Sequence, residues 1–313
     1  MKKFIVFAAI AAAGMIGANA HAQEAESCET VRFSDVGWTD ITATTAATTT
    51  VLDALGYDTE VKVLSVPVTY ASLANNDIDV FLGNWMPTME ADIAPYLDAG
   101  TVESIAVNLE GAKYTLAVNK SLYDAGLQDF ADIASFADQL DGKIYGIEPG
   151  NDGNRLILDM IDQDAFGLSA FELVESSEQG MLSQATRAAR RDEGIVFLGW
   201  EPHPMNANLE MAYLSGGDDF FGPDFGGATV YTNVRAGFTT DCPNVGKLIT
   251  NLTFSLAMEN EIMGAILNEG EDPGDAAKAW LTANPEILDP WLDGVTTRDG
   301  GDAAAAVLAS LGL

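Results

Sequence analysis

Histidine is almost missing from this chain of 313 residues, which has only His21 and His203. Cysteine is as scarce, with Cys28 and Cys242, and 15 basic residues stand against 47 acidic ones. Each shortage excludes something. One histidine beyond the N-terminal segment, with no G-x-S-x-G and no H-E-x-x-H, leaves a secreted hydrolase without a recognisable nucleophile-and-base pair or metal site. A Ser-His-Asp site around His203 is the one version left, and a lone histidine between prolines reads more simply as a turn residue. The formal charge of −32 repels nucleic acid and anionic lipid, so neither suits as a partner. It attracts cationic solutes, yet it also serves plain solubility in a salty environment, so charge alone names no ligand.

Long apolar runs are lacking too, with one exception. Lys2 and Lys3 form a positive n-region, residues 4–17 an apolar h-region, and Ala20-His21-Ala22 an A-x-A site, which together read as a signal peptide over residues 1–22, cleaved after Ala22. An uncleaved anchor is the alternative, opposed by the short, Ala- and Gly-rich core. No later stretch is long enough to span a bilayer, and Cys28 lacks the residues that precede a lipoprotein cysteine. Losing Lys2 and Lys3 takes the formal charge from −32 to −34. In an oxidising compartment a single cysteine pair forms a disulfide, here closing a loop of 214 positions between Cys28 and Cys242. Such a loop is worth on the order of 5 kcal/mol as an upper bound. Two buried free thiols are the alternative.

What the chain does have is a phrase used twice. "DVFLGNWMPTME" (79–90) and "IVFLGWEPHPMN" (195–206) each run through Phe-Leu-Gly to a tryptophan and then, two residues later, a proline. Around them, "TVRFSDVGW", "DTEVKVLSV" and "IDVFLGNW" predict strands, separated by helical stretches at 41–55, 68–76 and 88–99. The same alternation restarts with "GKIYGIEPG", "IVFLGW" and "ATVYTNVRAGF" as strands and helices near 154–164 and 178–193, and the last 70 residues read as helices. Strand alternating with helix predicts α/β architecture around mainly parallel sheets, in two lobes: residues 23–110 with 231–313, and residues 111–230. The chain would leave the first lobe near Asn108 and return near Tyr231.

In open α/β sheets ligands gather at the carboxyl ends of strands. Trp38, Trp85 and Trp200 all stand at such ends, which points to a cleft walled by tryptophan from both lobes; the plainer alternative is three tryptophans capping the core. Aromatic faces suit a quaternary ammonium, which carries no donor and needs little more than a carboxylate beside the rings. Asp40 in "GWTD" is placed to be that carboxylate, and equally to cap the following helix. "EPGNDGNR" lacks both G-x-G-x-x-G and a P-loop lysine, so it makes a weak anion site. The acidic clusters at 216–224 and 269–275 match no EF-hand loop and read as solvated surface rather than calcium sites.

The stretches "SDVGWTD", "VLSVPVTYASLANNDIDVFLGNWMPTMEADI", "NLEGAKYTLAV", "GKIYGIEPGNDGNRLI", "ESSEQGML", "VFLGWEPHPMN" and "FGGATVYTNVR" closely resemble the periplasmic choline-binding subunits of bacterial ABC importers, within the glycine betaine and choline receptor superfamily. The resemblance runs from about Cys28 to Gly301. It implies a type II periplasmic binding protein fold that closes two lobes around choline and passes it to a membrane permease and ATPase, with no cofactor and no enzymatic activity, as a monomer in the periplasm. It further implies an aromatic box of Trp38 and Trp85 from lobe one with Tyr114 and Trp200 from lobe two, Asp40 as countercharge, and Asn151 as partner of the choline hydroxyl. Glycine betaine brings its own carboxylate into a cleft that already holds Asp40, so choline is the better fit. Acetylcholine, with the same ammonium and a bulkier ester, is the weaker ligand.

Overall fold

The computed structural model describes residues 24–313. The expected signal peptide and its cleavage site after Ala22 lie outside the described residues.

Nine strands form one continuous sheet in the order β2-β1-β3-β9-β4-β7-β5-β6, with β8 pairing β4 off the path. They are β1 (Thr30–Asp35), β2 (Asp58–Val63), β3 (Val80–Met86), β4 (Val102–Asn119), β5 (Lys143–Tyr145), β6 (Glu172–Val174), β7 (Val196–Glu201), β8 (Met211–Tyr213) and β9 (Gly227–Arg235). The outer portions are parallel, β1 with β2 and β3 on one side and β5 with β6 and β7 on the other. The middle is antiparallel, through β3–β9, β9–β4 and β4–β7.

This order explains the repeated phrase. β3 and β7 carry the two Phe-Leu-Gly-to-tryptophan runs and take equivalent places, each antiparallel to a long strand that crosses the middle of the sheet. Both are buried along nearly their whole length, which is why they read as continuous apolar runs rather than alternating ones. Both are followed by a cis proline, at Met86–Pro87 and Glu201–Pro202.

Of the two crossing strands, β9 reads as a strand in the sequence and β4 does not. β4 is the longest strand at 18 residues, and its Glu103, Glu110, Gly111 and Lys113 break the apolar pattern by which a strand is read. The expected crossing points fall inside it and its neighbour: Val107 pairs with Tyr231, and the register slips on either side of this pair. Buried Asn108 donates from Nδ2 to the Leu82 carbonyl and the Thr232 hydroxyl, tying β4 to both β3 and β9 there.

Helices flank the sheet: α1 (Thr39–Ala54), α2 (Val66–Ala74), α3 (Glu90–Asp98), α4 (Asp152–Asp162), α5 (Glu178–Arg191), α6 (Pro243–Asn251), α7 (Leu256–Gly264), α8 (Pro273–Ala283) and α9 (Ala303–Leu311). The last four confirm the helical reading of the C-terminal segment, and α7, α8 and α9 pack against α1. Cys28 and Cys242 form a disulfide with Cα atoms 5.6 Å apart, fixing the start of β1 to the start of α6.

Candidate functional site

The carboxyl ends of β1, β3 and β7 meet the middle of β4 in one cavity. It is lined by Trp38, Asp40, Trp85, Tyr114, Ile147, Asp152 and Trp200. Five of the six expected site residues therefore come together on its wall. Tyr114 stands in the centre: β4 and β7 register it directly opposite Trp200. Its ring centroid lies 6.3 Å from that of Trp200 at 81° and 6.2 Å from that of Trp85 at 63°. Edge-on packing of this kind turns ring faces around a hollow instead of stacking them shut.

Two glycines let Tyr114 sit there. A side chain at Gly153 would overlap the Tyr114 hydroxyl, and one at Gly226, whose φ is +69°, would overlap the Tyr114 carbonyl. Neither glycine stood out in the sequence, since only the fold brings them against Tyr114.

The sixth expected residue, Asn151, is fully buried but stands behind the wall. Its Oδ1 accepts from the Tyr114 hydroxyl (2.8 Å) and from the Asn154 backbone N–H as the N-cap of α4, while Nδ2 donates to Asp152 Oδ1 at 3.0 Å. Asn151 thus holds Tyr114 and Asp152, and only its second amide hydrogen has no partner among the described residues. Asp152, which sequence reading missed, takes the place on the wall. Asp40 is not the N-cap of α1: Trp38 occupies that position and Asp40 is the second helical residue.

The electrostatics are lopsided. None of the lining residues is basic, while Asp40 is 1 % and Asp152 0 % exposed. Burial, reinforced by the nearby Glu178 charge, pushes the Asp40 carboxyl well above the usual carboxylate range. Burial pushes Asp152 up to about 6 and half-buried Glu148 to about 7. Asp40 Oδ1, Asp152 Oδ2 and Trp85 Nε1 are buried with no hydrogen-bond partner among the described residues. A buried unpaired carboxylate is costly unless a cation meets it, so the two carboxylates, set among ring faces, are complementary to a cation with apolar flanks.

Side chains beside the cavity are also tied together. Trp38 Nε1 donates to Glu148 Oε1 at 2.9 Å, and Arg155 on α4 donates to Asp92 Oδ2 (2.8 Å) and to the Thr88 carbonyl (3.0 Å). Thr39 donates to Glu178 from both backbone and side chain. His203 is not a mere turn residue: it is buried, and its Nε2 lies 3.2 Å from Glu178 Oε1. Among the described residues no group of three or more His, Cys, Asp or Glu is arranged to hold a metal ion, and no helix is long and apolar enough to cross a membrane.

The chain is 70% identical to an ABC-transporter choline binding protein solved in complex with choline, covering 92% of this chain and 100% of that one with a TM-score of 0.91. Against an ABC-transporter choline binding protein in an unliganded semi-closed conformation the identity and coverage are the same and the TM-score is 0.85, so the present structure is nearer in shape to the choline complex. The lactococcal OpuAC structure closed on glycine betaine, 24% identical over 84% of this chain and 99% of that one with a TM-score of 0.76, shares the two-lobed fold. Residues 29–283 match the model of the substrate binding domain of ABC-type glycine betaine transport systems, and the chain belongs to that family.

Proposed function

We propose that this protein is the choline-capturing subunit of an ABC importer. The observation that carries the reading is the composition of the cavity wall: four aromatic residues and two buried carboxylates with no basic side chain. Trimethylammonium binds ring faces through cation–π attraction, worth about 2 kcal/mol or more per desolvated contact. Asp40 supplies the countercharge. The choline hydroxyl is met by Asp152, which Asn151 holds from behind the wall. The 70% identity to a choline binding protein with choline bound supports the same ligand here.

Residues 24–110 with 231–313 make one lobe and 111–230 the other, so Trp38, Asp40 and Trp85 face Tyr114, Asp152 and Trp200 across the cleft. Each open lobe offers half a box. The closed state wins when one ammonium touches both halves, because only there are the acids of the two lobes neutralised together. The receptor works as a monomer in the periplasm and hands choline to the permease and ATPase, with no chemistry of its own.

Glycine betaine, the ligand named for the family, brings a carboxylate into a cavity that already holds Asp40 and Asp152. It binds more weakly here, as does the bulkier acetylcholine. Titrating the purified protein with choline while following tryptophan fluorescence tests the reading. A saturable change with a micromolar Kd, about −8 kcal/mol, is expected; a flat signal and no binding by equilibrium dialysis would overturn it.

A further inference from the structure

Helix α1 starts without a cap of its own. Trp38 at the N-cap position offers no side-chain acceptor, so the first N–H groups of a 16-residue helix depend on an outside partner. Glu178, at the start of α5 on the far side of the cleft, is that partner. Its Oε2 accepts the Thr39 backbone N–H at 2.7 Å and its Oε1 accepts the Thr39 hydroxyl at 2.5 Å. A carboxylate at a helix N-terminus also meets the positive end of the helix dipole.

The carboxylate is itself held. His203 Nδ1 accepts the Met205 backbone N–H at 2.9 Å, which leaves the proton on Nε2 to be donated to Glu178 Oε1 at 3.2 Å. The His203 ring in turn packs edge-on against Trp200, centroids 4.9 Å apart. Thr39, Glu178 and His203 are all at least 96 % buried. Thr39 lies between Trp38 and Asp40 in the chain, so whatever grips Thr39 sets where both of those residues stand.

We infer that Glu178 is the closure latch of this receptor, a positioning residue that crosses the cleft to cap α1 and so holds Trp38 and Asp40 against the wall made by Tyr114 and Trp200. The inference rests on the two-lobed receptor reading. Asp35, Asp40 and Glu148 all lie close enough to Glu178 to feel its charge. Repulsion among these acids opposes the latch, and a cation at Asp40 removes that opposition, so ligand and latch favour the same state.

Two variants separate capping from charge. Glu178→Ala removes the carboxylate; Thr39→Pro removes both donors and alters no charge. Proline suits the first helical position, and the extended Trp38 before it (φ −94°, ψ 136°) tolerates it. Each is measured for choline affinity, for release rate by stopped-flow tryptophan fluorescence, for compaction by small-angle scattering and for ligand-free melting temperature. The latch predicts at least a tenfold weaker Kd in both, carried mostly by faster release. At saturating choline the scattering profile becomes more open, with the ligand-free melting temperature held to within a few degrees. His203→Gln gives the same pattern, smaller. Wild-type affinity, release and compaction in both variants would sink the latch, and so would an affinity loss matched by an equal loss of ligand-free stability. If the wild-type protein itself ignores choline, the ligand reading fails and ligand-free scattering decides the latch: Thr39→Pro more open than wild type supports it, an identical profile overturns it.

Discussion

The parallel neighbours β1 and β3 have buried acids beside their opposite ends, Asp79 at the amino end of β3 and Asp40 beyond the carboxyl end of β1, handled in opposite ways. Just before β3, Asp79 accepts from Arg32 Nε and Nη2 and from Arg235 Nε, all at 2.8 Å. Burial pushes its carboxyl up, but the two guanidiniums outweigh it and bring Asp79 below the usual carboxylate range. Just past the other end of β1, Asp40 is as deeply buried, meets no cation of the protein and is pushed well up. A carboxylate that serves the fold brings its own cations; the one proposed for binding leaves that position to the ligand.

The largest effect belongs to the end of the sheet that serves stability. Replacing Cys28 and Cys242 together by serine should lower unfolding free energy by up to about 5 kcal/mol in denaturant titrations and leave the choline Kd unchanged; a large shift in Kd would show the two ends to be coupled. Asp79→Asn should follow at about 3 kcal/mol of stability, the low end for a broken ion pair because both arginines are partly exposed, again with Kd preserved. Asp40→Asn should do the reverse. Choline binding should weaken by about 2–5 kcal/mol, roughly thirtyfold or more, with melting temperature equal to wild type or higher. An Asp40→Asn protein that binds choline normally would erase the contrast. Trp200→Ala should cost about 2 kcal/mol of affinity, roughly thirtyfold, in a protein that still folds. Normal binding there would mean that the box is wrongly assigned.

The smallest effect is set by acidity. In the closed geometry Glu148 is raised to about 7 and Asp152 to about 6, whereas in an opened cleft both return toward the ordinary carboxylate range. The closed form therefore holds more protons within that window, and ligand-free closure should strengthen as pH falls from 8 to 6 and weaken as it rises. Scattering should show a smaller radius of gyration at pH 6 than at pH 8. A radius indifferent to pH would mean that closure does not bring these acids together.

Much of this was legible in the sequence because the informative residues are local. Tryptophan followed two positions later by proline at the end of an apolar strand points to β3 and β7, and "GWTD" to Trp38 and Asp40. What stayed hidden is long-range. β4 reads poorly because it runs through both halves of the sheet, with buried and exposed residues in no simple alternation. Glu178 and His203 are ordinary residues until the cleft closes around Thr39. Asp152 is the first residue of α4 beside the more conspicuous Asn151, and only the fold, which ties Asn151 to the Tyr114 hydroxyl, shows which of the two faces the cavity.

The central claim is that a buried carboxylate without a protein cation selects a cation that carries no carboxylate of its own. The most direct test is isothermal titration of the purified protein with choline and, in parallel, with glycine betaine at the same pH and salt. The account predicts micromolar choline binding and betaine at least roughly tenfold weaker, a gap of about 1.4 kcal/mol or more. Equal affinity for the two, or betaine preferred, would contradict it.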